Sequence, residues 1–508
     1  MKTYILLLFI VILFSCKKES EKTDYLGVAH LDVTGKKEAL PHFEKGLLLL
    51  HSFEYEDARE EFLKAQEIDP KMAMAYWGEA MTYNHSLWGE QDYDNGVSAL
   101  NKLTSLDNDY KITALENDFL EGVQILYKTK ATKKQRDKDY ADFMAELLKK
   151  YPDNQEIAAF YALSLLGSIE DGRDDVIFGK GARIAQGILK ENPNHPGALH
   201  YLIHSYDDPG HAQYALDAAD AYAVVAPDAS HALHMPSHIY VAMGMWDKVV
   251  SSNENSYQAS LNRRTRKNLK EGRGYHAYHW LEYGYLQQER EDDARKLLQD
   301  MVIFTEETPS KYARTHLVFL KGTYLVETEN WDSPLADITV DISDMNVAIR
   351  SQYRFLEGMK AFKRNDQKVL DENIVLIQND FNKESFLVTY DDASFCSGAK
   401  RDDTTPSNLT ESQVMLEQLL ALKAWLNNDP AATEDHLKKS ILLDESLSYS
   451  YGPPFIQKPT HELYADWLVL QNRPEEAEAQ YDKTLKRAPN RTLAVKRKEA
   501  LKTTLAAL

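Results

Sequence analysis

Apolar residues recur along most of the chain at three- and four-residue intervals, the spacing that places them on one face of an α-helix. The periodic blocks run for roughly a dozen residues and end at short turns that often contain proline, which cannot continue a helix. Long alternation of apolar and polar residues, the pattern of a half-buried strand, does not occur. The pattern therefore predicts an all-α fold.

One block carries an internal signature of small and aromatic residues. In FEKGLLLLHSFEYEDAREEFLKAQEIDP, Gly46, Ala58, Phe62, Ala65 and Pro70 follow one another at intervals of 12, 4, 3 and 5 residues. Small residues at such positions let two helices cross closely, and the proline ends the second helix. The same intervals return near the C-terminus, at Ala465, Ala477, Tyr481, Thr484 and Pro489. This pattern resembles the tetratricopeptide repeat (TPR), and the resemblance implies a TPR-type α-solenoid of antiparallel helix pairs with insertions.

The repeats divide the chain into five predicted regions. A lipoprotein-type signal peptide occupies residues 1–16, and a flexible tether follows at 17–37. An N-terminal TPR array spans residues 38–310, and a C-terminal TPR array spans 412–508. Between them, residues 311–411 are expected to form helical hairpins and an irregular connection. Insertions in the first array are expected around residues 89–110 and 171–178.

The N-terminus combines a short apolar run with a cysteine. In MKTYILLLFIVILFSCKKES the run is too short to span a bilayer of roughly 30 Å as a helix, and it fits an export signal. Leu13 and Ser15 precede Cys16 in an arrangement that resembles the lipobox of bacterial lipoproteins. That resemblance implies that Cys16 is acylated and that the protein is lipid-anchored in the bacterial cell envelope, at the outer membrane. An ordinary cleaved signal that ends near a cysteine is the alternative.

Charge, cysteine content and missing motifs narrow the functional classes. The net charge of −20 argues against a nucleic-acid partner, because neutralising phosphates requires clustered Lys and Arg. With Cys16 acylated, Cys396 is left alone and no intrachain disulfide can form. The chain has no phosphate-binding glycine loop, no G-x-S-x-G and no H-E-x-x-H motif, so no catalytic residue is predicted. An enzyme built on this chain would be a metal-dependent hydrolase or oxidase.

Two histidine pairs repeat at the period of the fold. HYLIH, from His200 to His204, and HMPSH, from His234 to His238, lie 34 residues apart, the length of one TPR. Histidines four apart lie on the same helix face and can chelate one metal ion. The resemblance implies that both pairs line the concave groove. The predicted ligands of a zinc, copper, iron or nickel ion are His200, His204, His231, His234, His238, His276 and His279. The alternative is that these histidines are packing residues, each with one satisfied hydrogen bond.

Other residues also fall at or near groove positions. Trp77, His85 and Trp88 form an aromatic group suited to a peptide partner. Glu462 and Asp466 in the last repeats could bind a cation or a basic ligand, with a solvated acidic surface as the alternative.

The sequence therefore supports two functions. The first is a membrane-anchored TPR scaffold of the bacterial cell envelope that binds a protein or peptide in its concave groove. The alternative is a metalloprotein, for storage or for metal-dependent chemistry, with a site lined by histidines. The segment YGPPFIQKP, residues 451–459, cannot be helical and is expected to close one end of the groove.

Overall fold

Helices make up most of the computed structural model, which describes residues 25–106, 111–169, 172–390 and 403–506. Consecutive helices are joined by short connections and pack against each other as hairpins. The strands assigned within these ranges are a two-residue pair, β1 (Asn84–His85) antiparallel to β2 (Glu90–Gln91). The all-α class predicted from the hydrophobic spacing is confirmed.

The helices of the N-terminal array begin at residue 40. In chain order they are α1 Leu40–His51, α2 Tyr55–Ile68, α3 Ala73–Met81, α4 Tyr93–Thr104, α5 Ala114–Leu126, α6 Lys133–Lys150, α7 Gln155–Gly167, α8 Asp175–Glu191, α9 Pro196–Ser205, α10 Leu216–Val225, α11 Ser230–His234, α12 Pro236–Ala242, α13 Trp246–Arg266, α14 Tyr275–Gln287 and α15 Glu291–Glu307.

The same arrangement continues through the second half of the chain. Its helices are α16 Lys311–Thr328, α17 Val347–Lys363, α18 Gln367–Tyr390, α19 Pro406–Leu426, α20 Pro430–Ser446, α21 Thr460–Leu470, α22 Pro474–Arg487 and α23 Thr492–Ala506. Short 3-10 turns lie at Ser86–Trp88, Ala212–Ala215 and Pro334–Asp337. None of the helices within the described ranges is both long enough and apolar enough to cross a membrane.

The small residues in and beside the first repeat let the helices cross closely, as their spacing predicts. A Cβ atom on Gly46 of α1 would lie 2.8 Å from the ring of Phe62 on α2, and one on Gly78 of α3 would lie 2.4 Å from the same ring. Ala58 and Ala65 of α2 are fully buried beside it. Phe62 therefore fills the crossing of three helices, and a larger residue at either glycine would force them apart.

One of the predicted regional boundaries differs from the structure. Residues 25–37 belong to the expected tether, yet Leu26 and Leu31 are buried, and the Val28 amide donates to the Asn194 carbonyl at 2.9 Å. This stretch packs because its leucines find apolar surface on the array. In the region expected to contain the irregular connection, α18 continues to Tyr390 and α19 begins at Pro406, and residues 391–402 lie outside the described ranges.

The C-terminal array closes against the N-terminal one. The indole Nε1 of Trp246 donates to the Asn490 carbonyl at 2.9 Å, and the Arg173 amide donates to Ser448 Oγ at 2.9 Å. The non-helical segment 447–459 enters the concave side between the two arrays. The solenoid therefore curls until distant repeats face each other.

A buried ion-pair network secures this closure. Arg491 is fully buried, and its Nε donates to Glu462 Oε2 at 2.7 Å. Its Nη1 pairs with Glu327 of α16 and donates to the Tyr283 hydroxyl of α14, in the N-terminal array, at 3.4 Å. Lys458 donates to the other Glu462 oxygen at 2.7 Å. Burial opposes ionisation of Glu462, but Arg491 and Lys458 outweigh it and hold the pKa of this carboxyl well below its usual range. Burial raises the pKa of Glu327, an effect that Arg491 counters only in part.

Replacing Arg491 should test how much the closure depends on this network. Removing one partner of a buried pair leaves an uncompensated charge, so we expect Arg491→Ala to lower the free energy of unfolding by about 3–5 kcal/mol. The matched control is Lys496→Ala, which removes an exposed cation paired with Glu289 and should cost less than about 1 kcal/mol. Urea unfolding at neutral pH measures both values. Equal effects of the two substitutions would contradict the role assigned to Arg491.

Candidate metal centre

Six of the predicted histidines meet on the concave side of the N-terminal array. They come from the first helices of three successive helix pairs, namely α9, the α11–α12 segment and α14, which lie side by side. Four of these six side chains are buried, and those of His231 and His276 are half-buried. We call this group the histidine cluster: His200, His204, His231, His234, His238 and His276.

The rings of the cluster form a closed circuit. Centroids lie 4.9 Å apart for His200 and His204, 5.4 Å for His204 and His238, and 5.1 Å for His238 and His234. His231 completes the circuit, at 6.2 Å from His234 and 5.0 Å from His200. Such spacing brings several imidazole nitrogens within reach of one or two cations. The sixth ring, His276, lies 4.6 Å from that of His234.

Oxygen acceptors fix the orientation of two of these rings. His200 Nδ1 lies 2.8 Å from the carbonyl oxygen of His51, an acceptor, so this nitrogen carries the proton. His234 Nδ1 lies 2.7 Å from Asn253 Oδ1. The Asn253 amide donates through Nδ2 to the Val249 carbonyl at 2.8 Å, which leaves Oδ1 as the acceptor that faces His234. In both histidines the Nε2 lone pair is therefore free to bind a metal.

One carboxylate orients two further rings. Asp207 Oδ2 lies 3.2 Å from His238 Nδ1 and 3.4 Å from His204 Nδ1, while its other oxygen faces Arg173 Nη1 at 3.5 Å. Burial opposes ionisation of Asp207, but hydrogen bonds from His204 and His238 outweigh it and lower the pKa of the carboxyl. A carboxylate behind an imidazole is a common support of metal-binding histidines, because it fixes the tautomer and raises ligand basicity.

Three of the remaining ring nitrogens can accept a proton or a cation. Among the described residues, Nε2 of His204 and Nε2 of His234 are buried without a hydrogen-bond partner. His200 Nε2 lies 3.2 Å from His231 Nε2, and because His200 is protonated at Nδ1 it can only accept there, from an N–H or from a cation. A buried polar atom without a partner destabilises a fold by about 1–3 kcal/mol, which a bound ion would remove.

Imidazole donors alone form two compact sets, while a further group combines His204 and His238 with Asp207. The donor atoms of His200, His204 and His231 all lie within 4.8 Å of one another. The second set, equally compact, comprises His234, His238 and His276.

Burial favours the neutral form of four imidazoles of the cluster, those of His200, His231, His234 and His238. Desolvation, reinforced by neighbouring imidazoles, holds the pKa values of His200 and His231 well below the ordinary histidine value and lowers that of His234 to about 3. Burial also lowers the pKa of His238, an effect that Asp207 opposes. Neutral imidazole is the form that coordinates a metal.

Two aromatic rings cover the cluster. The indole of Trp280 contacts the rings of the second set, at centroid distances of 4.8 Å to His234 and 4.6 Å to His238. Tyr451, from the non-helical segment of the C-terminal array, lies 5.1 Å from His238. Gly452 follows it at φ +93°, with its Cα directly over Trp280: an added Cβ would lie 2.3 Å from Trp280 Cζ2. Glycine is therefore required where this segment covers the cluster.

A large cavity leads to the cluster. Its volume is about 1310 Å³, and its wall includes residues of the N-terminal array, of 403–411, of 447–461 and of 484–488. His204 and Asp207 form part of its wall, and so does Arg173. A ligand in the cavity would therefore meet the cluster at His204.

Comparison with known proteins bears on the fold. Residues 41–72 match the family profile described as "Tetratricopeptide repeat". The chain contains a tetratricopeptide repeat. The match covers the block whose intervals resemble that repeat, so the predicted TPR resemblance and TPR-type α-solenoid are confirmed.

Solved TPR-like structures resemble the chain weakly. Yeast Tom70 is 13% identical over 92% of this chain and 90% of its own, with a TM-score of 0.33. The APC/C hetero-tetramer Cut9–Hcn1 is 13% identical over 92% of this chain and 77% of its own, with a TM-score of 0.38. The human IFIT1 dimer is 13% identical over 81% of this chain and 91% of its own, with a TM-score of 0.35. No curated protein sequence matches significantly. The predicted likeness to bacterial lipoproteins stays a prediction, and Cys16 lies outside the described residues.

The seventh predicted ligand of this TPR protein lies apart from the cluster. His279 is on the same helix as His276, but its Nε2 lies 2.9 Å from Thr323 Oγ1 and its ring stacks on Phe319 at 5.4 Å. Both of these partners are on α16, so the His279 ring faces that helix and not the cluster.

The aromatic groove residues divide into a core residue and a half-buried pair. Trp77 is fully buried between Phe119 and Phe160, each 5.4 Å away, so a partner cannot reach it and its assignment to the groove is corrected. His85 and Trp88 are half-buried, and the Trp88 ring lies 6.2 Å from His231. This pair borders the histidine cluster.

The acidic pair forms part of the buried network of the closure. Glu462 is fully buried against Arg491, and Asp466 pairs with Lys458 at 2.7 Å and with Arg497. Both carboxylates are neutralised by the protein's own cations, so the expected cation or basic ligand has no place there.

Sequence reasoning missed a second buried group, His51, Glu156 and His195. His51 Nε2 lies 2.7 Å from Glu156 Oε2, and His195 Nε2 lies 3.3 Å from Oε1 of the same carboxylate. His195 Nδ1 accepts the Ala198 amide as a helix cap, so its Nε2 carries a proton and cannot coordinate a metal in that tautomer. Burial opposes ionisation of Glu156, but His51 and His195 lower its pKa to about 2. The group is a buried hydrogen-bonded cluster that joins α1, α7 and the start of α9, and no local spacing in the sequence indicated it.

Acid should destabilise the metal-free protein through its buried histidines. Their folded pKa values lie below the ordinary 6.5, so the unfolded chain binds more protons and stability falls as the pH drops below 6.5. Each such histidine contributes up to about 1.4 kcal/mol per pH unit. Urea unfolding of chelator-treated protein between pH 8 and 4 measures the slope. His234→Gln should reduce it by that amount. An equal slope in the wild type and in this variant would contradict the assignment.

Proposed function

We propose that this TPR protein binds a transition-metal ion in its histidine cluster. The observation that carries the proposal is the orientation of four buried imidazoles. His200, His204, His234 and His238 each present Nδ1 to an oxygen, and Nε2 of His204 and of His234 is buried without a hydrogen-bond partner among the described residues. A packing histidine needs one satisfied hydrogen bond, but it gains nothing from a second nitrogen that is buried without a partner.

The ligand chemistry selects the class of ion. Imidazole nitrogen suits zinc, copper, iron and nickel, whereas magnesium and calcium require a shell of oxygen ligands. The carboxylate in the cluster, Asp207, is engaged by His204, His238 and Arg173. We therefore expect nitrogen coordination and a preference for zinc, copper, iron or nickel.

The cavity supports a role that involves a bound partner. TPR scaffolds are suited to protein binding, but part of the concave side here is filled by residues 447–459 of the chain itself. We place the binding of a peptide or other ligand in the remaining cavity, where it would meet the cluster at His204. The absence of a nucleic-acid partner, expected from the charge of −20, is retained as part of this proposal.

Metal analysis tests the proposal directly. The chain from residue 17 onward, prepared without a histidine-rich tag, should contain near-stoichiometric zinc, copper, iron or nickel by mass spectrometry. The variant with His204→Gln and His238→Gln should lose it, because both rings that Asp207 orients are gone. His211→Gln is the matched control, since His211 pairs with Asp208 outside the cluster and should leave the metal content unchanged. A metal-free protein that also takes up no added ion would overturn the proposal.

We also propose that a lipid on Cys16 holds the protein at the outer membrane of a bacterial cell. The support is the sequence before Cys16 and the polar run that follows it. In a bacterial host, Cys16→Ser should move the protein from the membrane fraction to the soluble fraction, as measured by immunoblotting. Ser15→Gly is the control, because a small residue is kept before the cysteine. Membrane association that survives Cys16→Ser would contradict the lipid anchor.

A further inference from the structure

We infer that the histidine cluster is a two-ion centre, with one ion on His200, His204 and His231 and a second ion on His234, His238 and His276. This inference rests on the proposed function, that the cluster binds metal, and adds the number of ions and their ligand sets. Both sets bring three imidazole donors within 4.8 Å of one another.

The two sets have the same construction. Each contains two histidines four residues apart, His200 with His204 and His234 with His238, on the first helix of a helix pair. Each takes its third histidine from the first helix of the next pair: His231 of α11 in the first set and His276 of α14 in the second. The solenoid therefore builds the same three-nitrogen site twice, one repeat apart.

Three protein nitrogens are enough to hold one ion whose fourth coordination position is left for water or a ligand. Zinc sites that exchange ligands commonly have three protein ligands and a water, whereas closed structural sites have four. Six imidazoles shared equally thus supply two sites of the open kind. A single ion would leave at least two of the six histidines unused, although Nε2 of His204 in one set and Nε2 of His234 in the other are both buried without a partner among the described residues.

Asp207 joins the two sets. Its Oδ2 faces Nδ1 of His204 in the first set and Nδ1 of His238 in the second. The single negative charge of Asp207 therefore supports ligands of both ions, because the six imidazole ligands contribute no charge. Two cations at this spacing repel each other, so the second ion should bind more weakly than the first.

Counting ions in variants of each set tests this inference. Metal-stripped protein is loaded with Cu²⁺, and in a separate series with Zn²⁺, then freed of excess metal and analysed by mass spectrometry. We expect two ions per chain in the wild type and one each in His231→Ala and His276→Ala. These two histidines are only half-buried, so their removal leaves no large internal void. His279→Ala, on the same helix as His276 but outside both sets, is the control and should keep two.

Tryptophan fluorescence identifies which ion is lost. Bound Cu²⁺ quenches nearby indoles, and Trp280 lies 5.4 Å from His276 and 4.8 Å from His234, both in the second set. Trp88 lies 6.2 Å from His231 of the first set, so the measurement uses a Trp88→Phe background. In that background His276→Ala should lose most of the quenching that His231→Ala retains. Circular dichroism verifies folding of each variant, and a variant that fails to fold is replaced by the glutamine substitution at the same position.

The outcomes separate this inference from the proposed function. One ion per wild-type chain, or loss of the same ion in both variants, would overturn the two-ion centre and leave metal binding intact. A wild-type chain that binds neither Cu²⁺ nor Zn²⁺ would overturn both. Two ions that persist in both variants would place the metal elsewhere and also overturn the inference.

Discussion

The side-by-side packing of the first helices in successive pairs is the constraint on which the candidate site depends. Packed helices lie roughly 8–10 Å apart, a distance that two histidine side chains can bridge from opposite sides. Because the solenoid repeats this spacing, a histidine pair on α9 and another on α11–α12 come to lie in contact, with rings 5.4 Å apart at His204 and His238. A wider crossing would leave the same residues as separate groove histidines.

Hydrogen bonding separates this cluster from other buried histidines of the protein. His195 uses Nδ1 as a helix cap and keeps its proton on Nε2, so it serves as a partner of Glu156. His200 and His234 have the opposite arrangement, with the proton on Nδ1 and a lone pair on Nε2. Residue type and burial are alike in the two places. The acceptor behind each ring decides whether the histidine serves as structure or as a ligand.

Sequence periodicity predicted the fold and most of the cluster because both follow from one repeat. The spacing of Gly46 and Phe62 predicted a helix crossing, and the interval of 34 residues placed His200 and His234 at equivalent positions. Periodicity failed where position within a repeat does not determine the surroundings. Trp77 occupies a groove position but is covered by aromatic rings, and Glu462 is covered by Arg491, which is far along the chain from most of its partners.

Long-range closure was beyond sequence reasoning for a related reason. Local patterns specify helices and their immediate neighbours, whereas the contact of Trp246 with Asn490 depends on the accumulated curvature of the whole solenoid. The curvature is the sum of small rotations at each repeat, and no local sequence pattern predicts that sum. The covering of the cluster by Tyr451 could only be guessed from the prolines around it.

The segment that carries Tyr451 and Gly452 also imposes an order on assembly. All six histidines of the cluster are synthesised well before residues 447–459, and the N-terminal repeats can pack with their neighbours as they emerge. Until the C-terminal array arrives, Tyr451 does not cover His238 and Gly452 does not lie on Trp280. Once they are in place, a ligand held behind Tyr451 is covered by the C-terminal array. A ligand of the cluster can therefore exchange freely before the arrays close and is retained after they close.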